Sequence, residues 1–334
     1  MVLITGATGL VGSHVMLRLL QQGKTVVGTK RPQSDLSEVE RVFSFYTEDS
    51  KNLFNKIIWR DVDFSDVLGL DELLKDIKIV YHCAAMVSLD TNDKSEILKI
   101  NTEGTANLVN ACLHNKTEGF CYVSSITVLQ NPDFIGDKDE TVFWKSQPNQ
   151  NMYSLSKHLA EQEVWRGIEE GLNAFVVNPG VIVGPGNWNR GTGKLFSTSY
   201  KGVKFYTEGV NGFVGVTDVA NIMVELMNRK IFGERFVLVE NNYSFKYIIQ
   251  TIHAELGKTP PDINAGKTFL TLARIFTFLL PKDLKVSASM VETLLGKTTY
   301  SNKKIKGVLD WKFTPVEEQI RFSAGVYKKH MSKG

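Results

Sequence analysis

Short apolar runs alternate with longer stretches whose apolar residues recur at helical spacing through the first 180 residues. Met1 to Ile4 reads as a strand. Ser13 to Gln22 reads as a helix, with Val15, Met16, Leu19 and Leu20 on one face and Gly23 at its end. Thr25 to Thr29 is a second strand, and Ser34 to Asp49 a polar, partly helical excursion. Strands then follow at Lys56–Arg60, Ile77–Cys83, Gly119–Ser124 and Ala174–Asn178, separated by helices at Leu68–Lys75, about Asp93–His114 and about Met152–Glu170. Repeated strand–helix units predict an α/β fold with a doubly wound parallel sheet, whose crevice lies at the carboxyl ends of the strands.

Past Pro179 the rhythm changes. Glycine, asparagine and aromatic residues crowd 184–213, which reads as a long binding loop. Phe213–Val216, Asp218–Asn228 and Arg235–Val239 form a further β-α-β segment, and helices are expected at 244–256, 267–280, 287–296 and 315–329. The apolar stretch Phe269–Leu280, interrupted by Arg274, is too short to span a bilayer and reads as a core or lid helix. Membrane contact is not expected.

Composition narrows the classes. A net charge of +3 with 22% charged residues gives no global basic field, so no nucleic-acid partner is expected. Cys83, Cys112 and Cys121 offer neither metal-ligand spacing nor an even disulfide framework. They predict no metal and a reducing, cytoplasmic setting, and no signal peptide is visible.

Thr5-Gly6-Ala7-Thr8-Gly9-Leu10-Val11-Gly12 joins the first strand to the first helix. Gly6 allows the tight turn, Gly9 lets the backbone approach phosphates, and Gly12 lets helix and strand pack closely. Amide N–H groups and the dipole at the helix start then hold an anion. The glycines fall at 6, 9 and 12, a G-x-x-G-x-x-G rather than a G-x-G-x-x-G pattern, and its place between a strand and a helix predicts dinucleotide pyrophosphate binding on a Rossmann-type sheet. Residues 1–180, with the 213–240 segment, are expected to form that unit, and 181–334 a smaller, mostly helical substrate lobe that does not fold independently.

Tyr153 and Lys157 stand at i and i+4 on one helix face. A tyrosine of pKa near ~10 is a poor acid or base at neutral pH, and a neighbouring ammonium pulls it down. Val123-Ser124-Ser125 ends the preceding strand, where a hydroxyl would point into the crevice and hold a reacting oxygen.

This ordered set resembles the extended short-chain dehydrogenases/reductases, the branch with dihydroflavonol-type reductases, 3β-hydroxysteroid dehydrogenases and nucleotide-sugar epimerases. Supporting stretches are Thr5–Gly12, Tyr81–Ala85, Asn101–Thr105, Val123–Ser125, Tyr153–Lys157 and Asn178–Gly186. The resemblance implies Tyr153 as general acid/base, Ser125 as its hydroxyl partner, and Lys157 as the group that lowers the tyrosine pKa and binds the nicotinamide ribose. It implies cofactor contacts from Gly6, Thr8, Gly9, Leu10 and Gly12. Asp61 with Val62 would lie at the adenine, Ala84 and Ala85 at the phosphate and ribose, and Pro179 and the Ile182 backbone at the carboxamide. Asn101 fits the family's structural helix asparagine. A homodimer paired through the helices at about 93–114 and 152–170 is also implied.

The second strand ends in Lys30-Arg31 rather than a carboxylate, which favours NADP(H) because two cations suit a 2′-phosphate. NAD(H) stays open, with Asp35 close by. Asn178 and Val181 replace an arginine and an asparagine usual in nucleotide-sugar members, and the loop offers Trp188, Phe196, Tyr200, Phe205 and Tyr206 instead. The expected reaction is hydride transfer to or from a small, partly apolar carbonyl or alcohol. The alternatives are a nucleoside-diphosphate-sugar epimerase or dehydratase with tightly held NAD, and a non-catalytic NADP-binding regulator.

Overall fold

The strands most apolar in sequence are those sealed on both faces. The computed structural model describes residues 1–87, 93–147, 151–270 and 288–332. Its chain runs β1 (Val2–Thr5), α1 (Leu10–Gln21), β2 (Val26–Lys30), α2 (Ser37–Ser44), α3 (Ser50–Asn55), β3 (Ile58–Asp61), α4 (Val67–Leu74) and β4 (Ile79–His82). It continues through α5 (Lys94–Leu98), a π-helical turn (Lys99–Glu103), α6 (Gly104–His114), β5 (Gly119–Val123), α7 (Met152–Glu169) and β6 (Ala174–Pro179). Then come β7 (Val181–Val183), α8 (Gly193–Tyr200), β8 (Phe205–Tyr206), β9 (Val210–Gly215), α9 (Val216–Asn228), β10 (Glu234–Leu238), β11 (Asn241–Ser244), α10 (Phe245–Leu256) and β12 (Ile263–Asn264). Further helices occupy Ala288–Leu295, Lys303–Leu309 and Val316–Met331.

Seven strands form one parallel sheet in the order β10-β6-β5-β4-β1-β2-β3. Every residue of β1, β5 and β6 is buried. Successive side chains feed opposite cores: Ile4 joins Met16, Phe175 and Met223 on one face, and Leu3 joins Leu70, Leu108 and Val164 on the other. Such double burial is what allows continuous apolar strands. Strand order reverses between β1 and β4, so the crevice opens at their carboxyl ends. This is the doubly wound, Rossmann-type arrangement expected.

Four expectations need correction. The single helix over 93–114 is broken by the π-turn. The 213–240 segment is split: β10 joins the large sheet beside β6, while β9 pairs with β7 and β11 in a separate three-stranded sheet. The 184–213 stretch is not one loop, because it contains α8 and β8. A helix at Lys303–Leu309 was not expected. The expected 267–280 helix lies outside the described residues beyond Leu270. Among the described residues, no helix is long and apolar enough to cross a membrane.

Candidate active site

The glycine loop is set by close backbone approach. Gly6 has φ +62°, and a Cβ there would lie 2.7 Å from the Ala84 backbone. Gly12 is tighter still: its Cβ would meet the Gly6 carbonyl oxygen at 2.3 Å. Gly9 donates its N–H to that oxygen at 2.9 Å and caps α1 with no side-chain acceptor, and the first turn of α1 holds no acidic residue. Uncapped first-turn amides beside an exposed glycine suit a phosphate. Thr8, Gly9 and Leu10 line a cavity of about 190 Å³ whose opposite wall includes Gly186, Asn187 and Arg190. The residues present therefore fit the dinucleotide implied by the loop.

Two strands away from β1, β5 delivers the hydroxyl groups. Ser125 caps a 3-10 turn, accepting the Thr127 N–H at 3.2 Å, so its own proton stays free to be donated. Asn151 caps α7 by accepting the Tyr153 N–H at 2.9 Å, which sets Tyr153 on the first turn. Burial pushes the Tyr153 phenol up to about 12, opposed by a hydrogen bond with the Ser125 side chain. Lys157 is buried, donating to the Val123 carbonyl at 2.6 Å and the Tyr122 hydroxyl at 3.1 Å. Burial lowers it to about 7, against the upward pull of Cys83 and Glu161. The structure thus brings Ser125, Tyr153 and Lys157 to one strand end. Burial is the larger influence on the tyrosine, and the Ser125 hydrogen bond works against it.

A polar chain that the sequence did not suggest runs behind these residues. The Ala84 N–H donates to Thr5 Oγ1 at 3.2 Å, and Thr5 Oγ1 meets His82 Nδ1 at 2.6 Å. His82 Nε2 meets Thr105 Oγ1 at 3.0 Å, and that hydroxyl donates to the Asn101 carbonyl at 2.6 Å. One tautomer satisfies every link: Nε2 carries the proton and Nδ1 accepts. Burial drives His82 down to about 3, in keeping with a neutral ring. The Asn101 side chain accepts from Met86 N–H and donates to the Met86 carbonyl and to Ser156 Oγ, which donates to the Tyr153 carbonyl. The chain therefore links the glycine loop to the turn bearing Tyr153. Of its members, the sequence singled out only Asn101 by itself, as a structural asparagine, with His82 and Thr105 lying in stretches that carry the family resemblance.

The remaining residues divide. Ala84 and Ala85 follow β4 at the crevice, half-buried. Lys30 pairs with Asp61 at 2.7 Å across the register Lys30↔Asp61, so each is partly committed. Arg31 is exposed, and among the described residues its guanidinium has no ion pair. The Asp35 carboxylate is occupied by the Ser37 N–H and hydroxyl. Val62 packs against the core beside α4. Pro179 ends β6, and the Ile182 carbonyl accepts from Thr192 Oγ1 at 2.7 Å. Trp188 and Phe196 are 4% and 1% exposed, and Trp188 and Tyr200 pack edge-on against Tyr327. Trp188 and Phe196 are core rather than the substrate wall expected, and half-buried Tyr200 packs against that core. Among the described residues, no group of three His, Cys, Asp or Glu could hold a metal.

The family model "NAD dependent epimerase/dehydratase family" matches residues 2–238. The chain belongs to this family. Among its relatives, Sterol demethylase protein B of Methylococcus capsulatus is 26% identical, over 78% of this chain and 76% of that one. Tetraketide alpha-pyrone reductase 1 of Arabidopsis thaliana is 27% identical, over 82% of this chain and 85% of its own. The crystal structure of yeast methylglyoxal/isovaleraldehyde reductase Gre2 complexed with NADPH superposes with a TM-score of 0.74 at 21% identity, covering 100% of this chain and 99% of that one. In this epimerase/dehydratase chain, the glycine loop and the Ser125–Tyr153–Lys157 cluster both lie within the matched span.

Proposed function

We propose that this protein is an NADP(H)-dependent carbonyl reductase of the extended short-chain dehydrogenase/reductase type, acting on a small, partly apolar carbonyl compound or its secondary alcohol. The observation that carries this reading is the Ser125–Tyr153 hydroxyl pair with Lys157 beside it at the end of β5. Tyr153 is protonated at neutral pH and within hydrogen-bond reach of Ser125, so it is the proton donor for a carbonyl oxygen, although burial, which raises the phenol to about 12, works against that donation. Ser125, whose proton is free, holds the same oxygen. When bound, the nicotinamide supplies the hydride. Lys157, held by the Val123 carbonyl and the Tyr122 hydroxyl, keeps a further hydrogen for the ribose. Residues 1–180 with β10 serve the dinucleotide, and the rest of 181–334 the substrate.

Arg31 supports NADP(H), being the cation at the β2 end left free for a 2′-phosphate once Lys30 pairs with Asp61. Asn178 supports a substrate other than a sugar diphosphate, because its amide is already spent on Ser125 and Glu161. Two copies pairing through α5–α6 and α7, in a reducing cytoplasm, complete the reading; a monomer by light scattering would remove the dimer. The chemistry is tested by Tyr153→Phe. Turnover of an aldehyde panel with NADPH should fall by at least about a hundredfold while NADPH affinity is retained. Normal turnover in that variant would refute the assignment.

A further inference from the structure

We propose that Glu161 is a positioning residue for the Ser125–Tyr153–Lys157 cluster: it fixes the Ser125 backbone through Asn178 and supplies the counter-charge for the Lys157 ammonium. The inference rests on the catalytic reading above. Tyr153, Lys157 and Glu161 stand four residues apart on one face of α7. The Glu161 side chain is only 4% exposed. Its Oε2 accepts from Asn178 Nδ2 at 2.9 Å, and its Oε1 from Trp165 Nε1 and Arg235, each at 3.3 Å.

The second hydrogen of Asn178 Nδ2 goes to the Ser125 carbonyl at 3.3 Å. Both neighbours of that nitrogen are acceptors, so the amide orientation is dictated: reversal would set Oδ1 against two oxygens. Asn178 Oδ1 is itself buried without a partner among the described residues, which shows that the two donated bonds outweigh an orphaned acceptor. Glu161 thus grips the residue that grips Ser125.

Arg235 anchors the far side. It lies on β10, and its guanidinium donates to the Glu140 carbonyl at 2.9 and 2.6 Å and to the Val142 carbonyl at 2.7 Å. It is held by backbone on one edge and by Glu161 on the other. The seventh strand of the sheet therefore reaches the site through this arginine.

The electrostatic half follows from the groups facing Lys157. His82 and Cys83 face it from the end of β4, Tyr122 from β5, and Tyr153 and Glu161 from its own helix. Burial lowers the lysine, and Cys83 and Glu161 pull it back. The pull of Cys83 belongs to its thiolate form, which burial disfavours by raising the thiol to about 12. His82 is neutral. Glu161 is the one carboxyl group among these, one helical turn from Lys157, and Arg235 shares it.

The test is a titration of the Lys157 Nζ resonance in ¹⁵N-lysine-labelled protein, assigned with Lys157→Arg and read without cofactor or substrate. Glu161→Gln should lower the midpoint by about one pH unit, and Arg235→Gln should raise it. Opposite shifts separate a charge effect from mere loosening of the fold. An unchanged midpoint in folded Glu161→Gln overturns the proposal; if that variant does not fold, an unchanged or lowered midpoint in Arg235→Gln does so. NADPH-dependent reduction of phenylglyoxal gives the second readout. The alkaline limb of kcat/KM should move to lower pH in Glu161→Gln, because the ammonium is lost earlier. Wild-type protein inert toward phenylglyoxal, with both titration shifts present, would sink the functional reading while supporting this one.

Discussion

Lowering the pH from 7 to 5 should destabilise this protein through two histidines. His82 is bonded between Thr5 and Thr105, and His14 between the Leu10 carbonyl and the Tyr46 hydroxyl. Burial lowers them to about 3 and about 4. The unfolded chain takes up a proton at each near pH 6.5, whereas the native chain refuses it. Stability present above pH 6.5 is therefore lost as the pH falls toward the native values. Between pH 7 and 5 each ring costs about 2 kcal/mol, or about 4 kcal/mol together. Lys157, native value about 7, adds less than about 1 kcal/mol over the same window. The assay is urea denaturation at both pH values, comparing wild type with His82→Gln. The glutamine variant will be weaker at pH 7, but its loss on acidification should be smaller by about 2 kcal/mol. Equal losses in the two proteins would refute a neutral, proton-refusing His82.

Two further outcomes follow. Arg31→Ala should weaken NADPH binding about 10- to 100-fold by calorimetry and leave NADH nearly unaffected, since only the 2′-phosphate loses a charge-assisted bond; equal loss for both would remove Arg31 from discrimination. Trp188→Ala, at a position 4% exposed against Phe196 and Tyr327, should cost about 3–5 kcal/mol in denaturation. A changed substrate preference with unaltered stability would return Trp188 to the substrate wall.

The first 180 residues were legible because their central strands β1, β5 and β6 are buried on both faces, the edge strand β3 excepted, and are bounded by amphipathic helices. Tyr153, Lys157 and the glycines were legible because their chemistry lies in local spacing. The rest depends on partners remote in sequence. The Lys30–Asp61 pair is a matter of strand register, which neither segment encodes alone. Glu161 draws its meaning from Arg235 and Asn178, and His82 from Thr5 and Thr105. The short strands β7, β8, β9, β11 and β12 pair with segments far along the chain, and no two-residue strand such as β8 has room to display a period. The aromatic residues near 190 misled because apolar side chains look alike whether they meet a ligand or a core.

The π-turn at Lys99–Glu103 acts as one extra residue set into an otherwise regular helix. Each residue advances a helix by roughly 100°, so that insertion sets the phase between two faces. Upstream of its end, Asn101 addresses Met86 and Ser156; downstream, Leu108, Ala111 and Cys112 stay within the core. Deleting one residue here would restore an ideal helix and yet leave the two halves out of step. Either the asparagine would rotate away from the turn that carries Tyr153, or the apolar stripe of α6 would rotate off the sheet. The site and the core are thus geared together through a count of residues, and no side-chain substitution can repair a miscount.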